Sequence, residues 1–287
     1  MTAKSHKNWT DDVADLLRVR DGFVLSGVDP RSTPGYDGDK DDGKDDLSSG
    51  AADFEDYQER LFAASQSETT SGSVLLVLQA MDSAGKGGIV RHVVGAGNPQ
   101  GVDVTAFKKP TEEELEHDFL WRIAKHRPGP GRIAVFDRSH YEDVLVAKVR
   151  ELAGPDEIER RYDAINEFEK TLFEAGTRIV KVMLHISYEE QRDRLMARLD
   201  RGEKQWKFTP GDVDERVLWP HYMSAYQTVF DRTSTLYAPW HVVPADRKWY
   251  ARLAVQNLLL QALDDIDPQW PDADYDIARE KARLAAS

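Results

Sequence analysis

The chain of 287 residues contains no cysteine. Disulfide staples and thiolate metal sites are therefore excluded. Long apolar runs are also missing. The longest, residues 74–81, includes Gln79 and is far too short to cross a bilayer. No basic, apolar and small-residue pattern of a secretory leader follows Met1. Together these absences lead to the expectation of a soluble cytoplasmic protein with no membrane partner. Positive charge is in deficit as well, with a net charge of −13. A general nucleic-acid binder needs a basic footprint, so nucleic acid is not an expected partner.

The charge is unevenly spread. Residues 37–56 and 264–276 are strongly acidic, while most basic clusters lie between them. An acidic shell around a basic cleft suits a small polyanionic substrate. Apolar residues make up 40% of the chain, enough for a core between layers.

Residues 1–50 read as an extension. Thr10 is placed to cap a short helix over 11–18, and the Asp-, Gly- and Ser-rich run 35–50 reads as a mobile loop or linker. From Asp53 the pattern becomes regular, and residues 51–287 read as one domain. Helices are expected over 53–64, 85–94, 111–126, 141–150, 156–174, 187–199 and 248–263. Buried strands are expected over 74–78, 102–107, 133–136, 179–186 and 240–243. Thr111 with Glu114, and Ser187 with Glu190, have capping-box spacing. Alternating strands and helices define a three-layer α/β/α architecture around a parallel sheet.

The strongest site signal is Leu78-Gln-Ala-Met-Asp-Ser-Ala-Gly-Lys-Gly-Gly88, between an apolar strand and a helix. Phosphate loops occupy that position. Gly85 permits the tight turn. The backbone of Ser83, Ala84, Gly85, Gly87 and Gly88 would cradle phosphate oxygens, with Lys86 on the transferring group. The match to the usual loop departs twice: Ala80 replaces the first glycine, and Gly87 replaces the magnesium-binding hydroxyl residue. Asp82 offers a hard oxygen in compensation.

A second element is Ile133-Ala-Val-Phe-Asp137, an apolar strand ending in a carboxylate, followed at once by Arg138. Helix capping is the plainer use of such an aspartate, but Ser139 is free for that task, which favours a metal role for Asp137. Arg194, Arg198 and Arg201 recur at helical spacing, and Lys204 and Lys207 follow. That spacing suits either a solvated face paired with Glu190 and Asp200 or a lid, at about 200–215, that closes over phosphates. Arg91, Lys108, Lys109 and Arg122 add positive charge nearby.

With these residues in view, the chain resembles the family-2 polyphosphate kinases. The matching stretches are Gln79 to Gly88, Asn98-Pro-Gln-Gly101, Pro110 to Leu115, Asp118-Phe-Leu-Trp-Arg122 and Phe136 to Leu145. Gln205-Trp-Lys-Phe208, Thr233-Ser-Thr235, Ala238-Pro-Trp240 and Pro244-Ala-Asp246 continue them, so they span most of residues 53–263. The resemblance implies a P-loop kinase core with a helical lid. It implies magnesium-dependent transfer, with manganese as a substitute, between inorganic polyphosphate and nucleoside mono- or diphosphates (AMP/ADP, GMP/GDP). It also implies a homo-oligomer, a dimer or tetramer. Ser139-His-Tyr-Glu-Asp-Val-Leu145 is similar to the subgroup that accepts both AMP and ADP. That subgroup carries aspartate where this chain has Gly87.

In such a mechanism Asp82 and Asp137 would hold metal, and Lys86 and Arg138 would stabilise the transferring oxygens. Glu142 and Asp143 would touch nucleoside or metal, or cap a helix. Arg194, Arg198, Lys204 and Lys207 would contact polyphosphate. His140 is read as packing or substrate contact. An ATP-dependent nucleotide kinase on the same fold and a non-enzymatic nucleotide or polyphosphate sensor are the competing readings.

Overall fold

A computed structural model describes residues 8–287; residues 1–7 of the expected extension lie outside it. Near the start, helix α1 (Val13–Leu17) is shorter than the expected 11–18 segment. Its cap is Asp12, whose carboxylate accepts the amides of Ala14 (2.8 Å) and Asp15 (3.2 Å). The Thr10 hydroxyl donates to Asp11 instead.

The larger departure is helix α2 (Lys40–Gln66), which takes up much of the run expected as a loop. Asp39 and Asp42 form a capping box there. Acidic residues in a first turn also complement the helix dipole. The Asp-rich composition is thus helix-start chemistry. Phe54 and Leu61 are fully buried and anchor the helix against the core.

Strand β1 (Ser73–Ala80) follows, then α3 (Lys86–His92), β2 (Val102–Ala106), α4 (Glu112–Leu115) and α5 (Leu120–Ala124). The chain continues through β3 (Ile133–Asp137), α6 (Glu142–Val149), α7 (Pro155–Glu174), β4 (Thr177–His185) and α8 (Tyr188–Leu199). A 3-10 turn (Gly202–Lys207) leads to α9 (Gly211–Val217), α10 (Trp219–Thr233), β5 (Trp240–Pro244), α11 (Lys248–Asp264) and α12 (Ile277–Ala285). The single helix expected over 111–126 is two short ones. Thr111 and Glu114 do form the capping box, but the Asp118 carboxylate accepts the Leu120 amide (3.0 Å) and starts a second helix.

The five strands form one sheet in the order β2-β3-β1-β4-β5, every pair parallel. Along β1, Val74, Leu76 and Leu78 pack toward α2, α3 and α11. Leu75 and Val77 pack toward α6, α7 and α10. Both faces are covered, which is why the strand reads as an unbroken apolar run. The N-terminal segment also guards an edge: the Val19 amide donates to the Trp240 carbonyl (2.8 Å), and Arg18 bridges to His241. An open strand edge invites pairing with other chains, and this contact covers it.

The connections run from β1 to one side of the sheet and then return to its other side. Strand β1 is therefore the topological switch point, and ligands in open α/β sheets bind at the carboxyl ends of the strands there.

Candidate active site

Register decides what meets at that edge. Leu78 lies opposite Asp137, so β1 and β3 end side by side. The loop after β1 and the segment after β3 leave the sheet together. Gly85 sits at φ +124° before α3, a conformation that side chains strongly disfavour. Ser83 (φ +69°) and Arg138 (φ +64°) adopt the left-handed region without being glycine. Such outliers concentrate at functional sites.

The two loops enclose a cavity of about 710 Å³. Asp82, Ser83, Ala84, Gly85, Lys86, Gly87, Gly88, Arg91, Lys108, Asp137, Arg138, Arg198, Lys204 and Lys207 all line it. The Lys86 ammonium approaches the Ala80 carbonyl at 3.4 Å and stays half-buried. Arg138 donates to the Asp82 carboxylate at 3.1 Å. With its amide turned to satisfy both neighbours, Gln79 accepts from Ser139 and donates to Glu142 at 2.9 Å. Glu142 is thereby tied to the end of β1. Burial pushes its carboxyl up, and the charges of Arg138 and Lys86 oppose that shift.

Several expected residues stand outside the lining. Lys109 is exposed beyond the rim. Arg122 is buried and donates to the Lys108 carbonyl (2.8 Å) and to Asp143 (3.2 Å). Both residues therefore brace the segment that carries Lys108. Arg194 departs most from the lid expectation. Its guanidinium is buried behind the phosphate loop and donates to the carbonyls of Ser83 (3.1 Å), Ala84 (2.6 Å), Ala245 (2.6 Å) and Asp246 (3.1 Å). Glu190 pairs with it at 2.7 Å. His140 packs, fully buried, and meets Glu169 at 3.2 Å.

Sequence reasoning missed three basic side chains of the lining: His92, Lys248 and Arg252. Lys248 and Arg252 are four residues apart at the start of α11, just beyond the end of β5. A strand ending followed by basic residues at that spacing is the signal that would have found them. All three have pKa values pushed down, by burial first and by neighbouring arginines next. Crowded cations of this kind mark a site shaped for an anion. Asp82 and Asp137 are the two carboxylates on the lining.

A phosphate loop, a strand-end aspartate and a cation-rich cavity at the switch point define a P-loop phosphotransferase. The family model described as polyphosphate kinase 2 matches residues 38–271. The chain belongs to that family. It is 44% identical over 249 residues to an AMP/ADP-polyphosphate phosphotransferase of Meiothermus ruber, covering 87% of this chain and 91% of the relative. It is 42% identical to an ADP-polyphosphate phosphotransferase of Rhodopseudomonas palustris, covering 76% of this chain and 78% of the relative. The crystal structure of polyphosphate kinase 2 from Arthrobacter aurescens superposes with a TM-score of 0.95 at 55% identity, covering 99% of this chain and all of that one.

Proposed function

We propose that the protein transfers a phosphoryl group between inorganic polyphosphate and AMP or ADP, with the guanine nucleotides as further acceptors. The carrying observation is the charge of one cavity. Lys86, Arg91, Lys108, Arg138, Arg198, Lys204, Lys207, Lys248 and Arg252 line it against only Asp82 and Asp137. A mononucleotide needs few of these cations, whereas a phosphate chain uses many. The family relatives named for polyphosphate transfer support the same reading.

Transfer of this kind needs positioning and charge neutralisation more than covalent chemistry. An acceptor phosphate oxygen is ionised at neutral pH, so no general base is required. Lys86 and Arg138 hold the equatorial oxygens of the moving group. Asp82 accepts from the Arg138 guanidinium and holds it at the cavity, and Arg194 fixes the loop from behind. Lys204 and Lys207 cover the chain and exclude water.

Asp82 and Asp137 fit magnesium, or manganese in its place: both are hard oxygen donors on one cavity. Among the described residues no group of three or more acidic or histidine side chains is arranged to hold a metal ion. Magnesium commonly binds through one or two carboxylates and completes its shell with substrate phosphates and water. When bound, it supplies neutralisation of the charge on the transferring phosphate.

Among the described residues no helix is long and apolar enough to cross a membrane. A cytoplasmic location, and assembly as a dimer or tetramer, complete the proposal. The exposed edge strand β2, with Val104 half-exposed, is a surface such an assembly would cover. The test of function is ATP formation from ADP, polyphosphate and magnesium, read by luminescence. ATP must appear with polyphosphate as the only donor. Turnover of AMP that demands ATP and ignores polyphosphate would instead make the protein an ordinary nucleotide kinase.

A further inference from the structure

Beside the phosphate cavity lies a second one of about 380 Å³, between α2 and the first turn of α11. Lys248 and Arg252 line both. The two cavities therefore meet around one pair of cations. The second adds Lys40, Lys44 and Arg247.

Gly43 is what brings α2 into this wall. It is buried, and a Cβ at that position would come within 2.4 Å of the Trp249 ring. Only glycine lets the helix lie this close. Lys40 and Lys44 flank the contact four residues apart, on one helix face.

The carboxylates of the second cavity are already engaged. Glu190 accepts from Arg194 at 2.7 Å. Asp246 accepts from the Ser187 amide and hydroxyl, both at 2.8 Å, and faces Arg31 at 3.5 Å. Asp39 and Asp42 are occupied in capping α2. Lys44 pairs with Asp41 at 2.6 Å, but the contact is exposed, and such pairs contribute little and yield to salt. Burial and then neighbouring arginines push both shared cations down: Arg91 crowds Arg252, and Arg194 crowds Lys248 against the opposing charge of Glu190, which is already paired with Arg194.

We propose that the second cavity is an outer subsite for a long linear polyanion: the reacting end of a polyphosphate chain lies over Lys86, and the chain runs past Lys248 and Arg252 to Lys40, Lys44 and Arg247. The inference rests on the polyphosphate reading above. It adds a distinction between donors, because a chain of three phosphates ends within the first cavity and a long chain reaches the second.

The test compares the native protein with a Lys40→Ala, Lys44→Ala, Arg247→Ala variant and with a Lys40→Glu, Lys44→Glu variant. Lys40, Lys44 and Arg247 are exposed, and thermal unfolding is used to check that the variants fold. Apparent KM is measured at fixed ADP for tripolyphosphate and for a chain of many tens of phosphates. Direct binding of the long chain is measured at several salt concentrations. The expected result is a KM for the long chain raised roughly tenfold in the triple variant, more with charge reversal, and a shallower salt slope by analogy with counterion release. KM for tripolyphosphate stays within about twofold. Equal changes for both donors, or none for either, overturn the subsite while the native protein still turns over both. Absence of turnover and of long-chain binding in the native protein overturns the polyphosphate reading and the subsite with it.

Discussion

Arg194 donates from Nη1 to the Ala84 carbonyl at 2.6 Å, while its Nη2 donates to the Ala245 carbonyl at the same distance. One guanidinium thus ties the phosphate loop to the end of β5. The planar fork suits this task, and an ammonium cannot reach both sides. Arg194→Ala and Arg194→Lys are expected to lose both stability and turnover. The alanine variant should lose on the order of 3 kcal/mol, the scale for removing one partner of a buried charged network. Denaturant unfolding checks it. An alanine variant of native stability with only a raised polyphosphate KM would restore the lid role.

Lys86 behaves oppositely. It is half-buried on the cavity wall with one long contact to the Ala80 carbonyl. Lys86→Ala should abolish transfer and leave the unfolding midpoint unchanged. Asp82→Asn and Asp137→Asn should each lower kcat by about 10²-fold or more, the scale for one preorganised electrostatic element. Added magnesium should recover part of that loss. Unaltered magnesium dependence in both variants would count against the metal role.

Lys204 and Lys207 belong to the covering turn, and Arg198 holds that turn through the Lys207 carbonyl at 3.4 Å. Neutralising both lysines should raise KM for polyphosphate more than KM for ADP. It should also flatten the salt dependence of the former. Equal movement of both constants would assign the turn to closure alone.

A pH response is built into the sheet edge. Burial pushes the His241 imidazole down to about 4; the Lys181 carbonyl opposes the shift, and the charges of Arg18 and Lys181 add to it. An unfolded histidine titrates near 6.5. Between those values the unfolded chain binds the extra proton, so stability is full above about pH 6.5 and falls as pH drops toward 4. The loss by the acid end of this window is on the order of 3 kcal/mol. His241→Asn keeps a donor near the Lys181 carbonyl and should remove this slope from a plot of melting temperature against pH. An unchanged slope would place the acid sensitivity elsewhere.

How much of this was legible in the sequence depended on how far each signal is local. Strands β1 and β3 announce themselves because burial on both faces demands continuous apolar residues, and β4 does so around the buried Lys181, which pairs with Glu169. The loop at Gly85 and Lys86 is legible because its backbone geometry and charge sit in adjacent residues. Arg194 was misjudged because spacing places it on the face of Arg198 without saying which side of that face is buried. Residues 35–50 read as a loop because acidic and glycine residues serve both turns and helix starts. The contact of Gly43 with Trp249, more than two hundred residues away, resolves the ambiguity. Lys248 and Arg252 were missed because their role comes from the return of α11 to the phosphate loop, a tertiary fact.

On this reading polyphosphate itself is the phosphoryl partner of the nucleotide. Phosphorus NMR of the protein with ADP, polyphosphate and magnesium, and no other phosphoryl donor, tests it most directly. The γ-phosphate resonance of ATP should grow while polyphosphate signal is consumed, with neither change in Lys86→Ala. A native protein that leaves the polyphosphate resonances untouched, yet converts AMP to ADP once ATP is added, would contradict it.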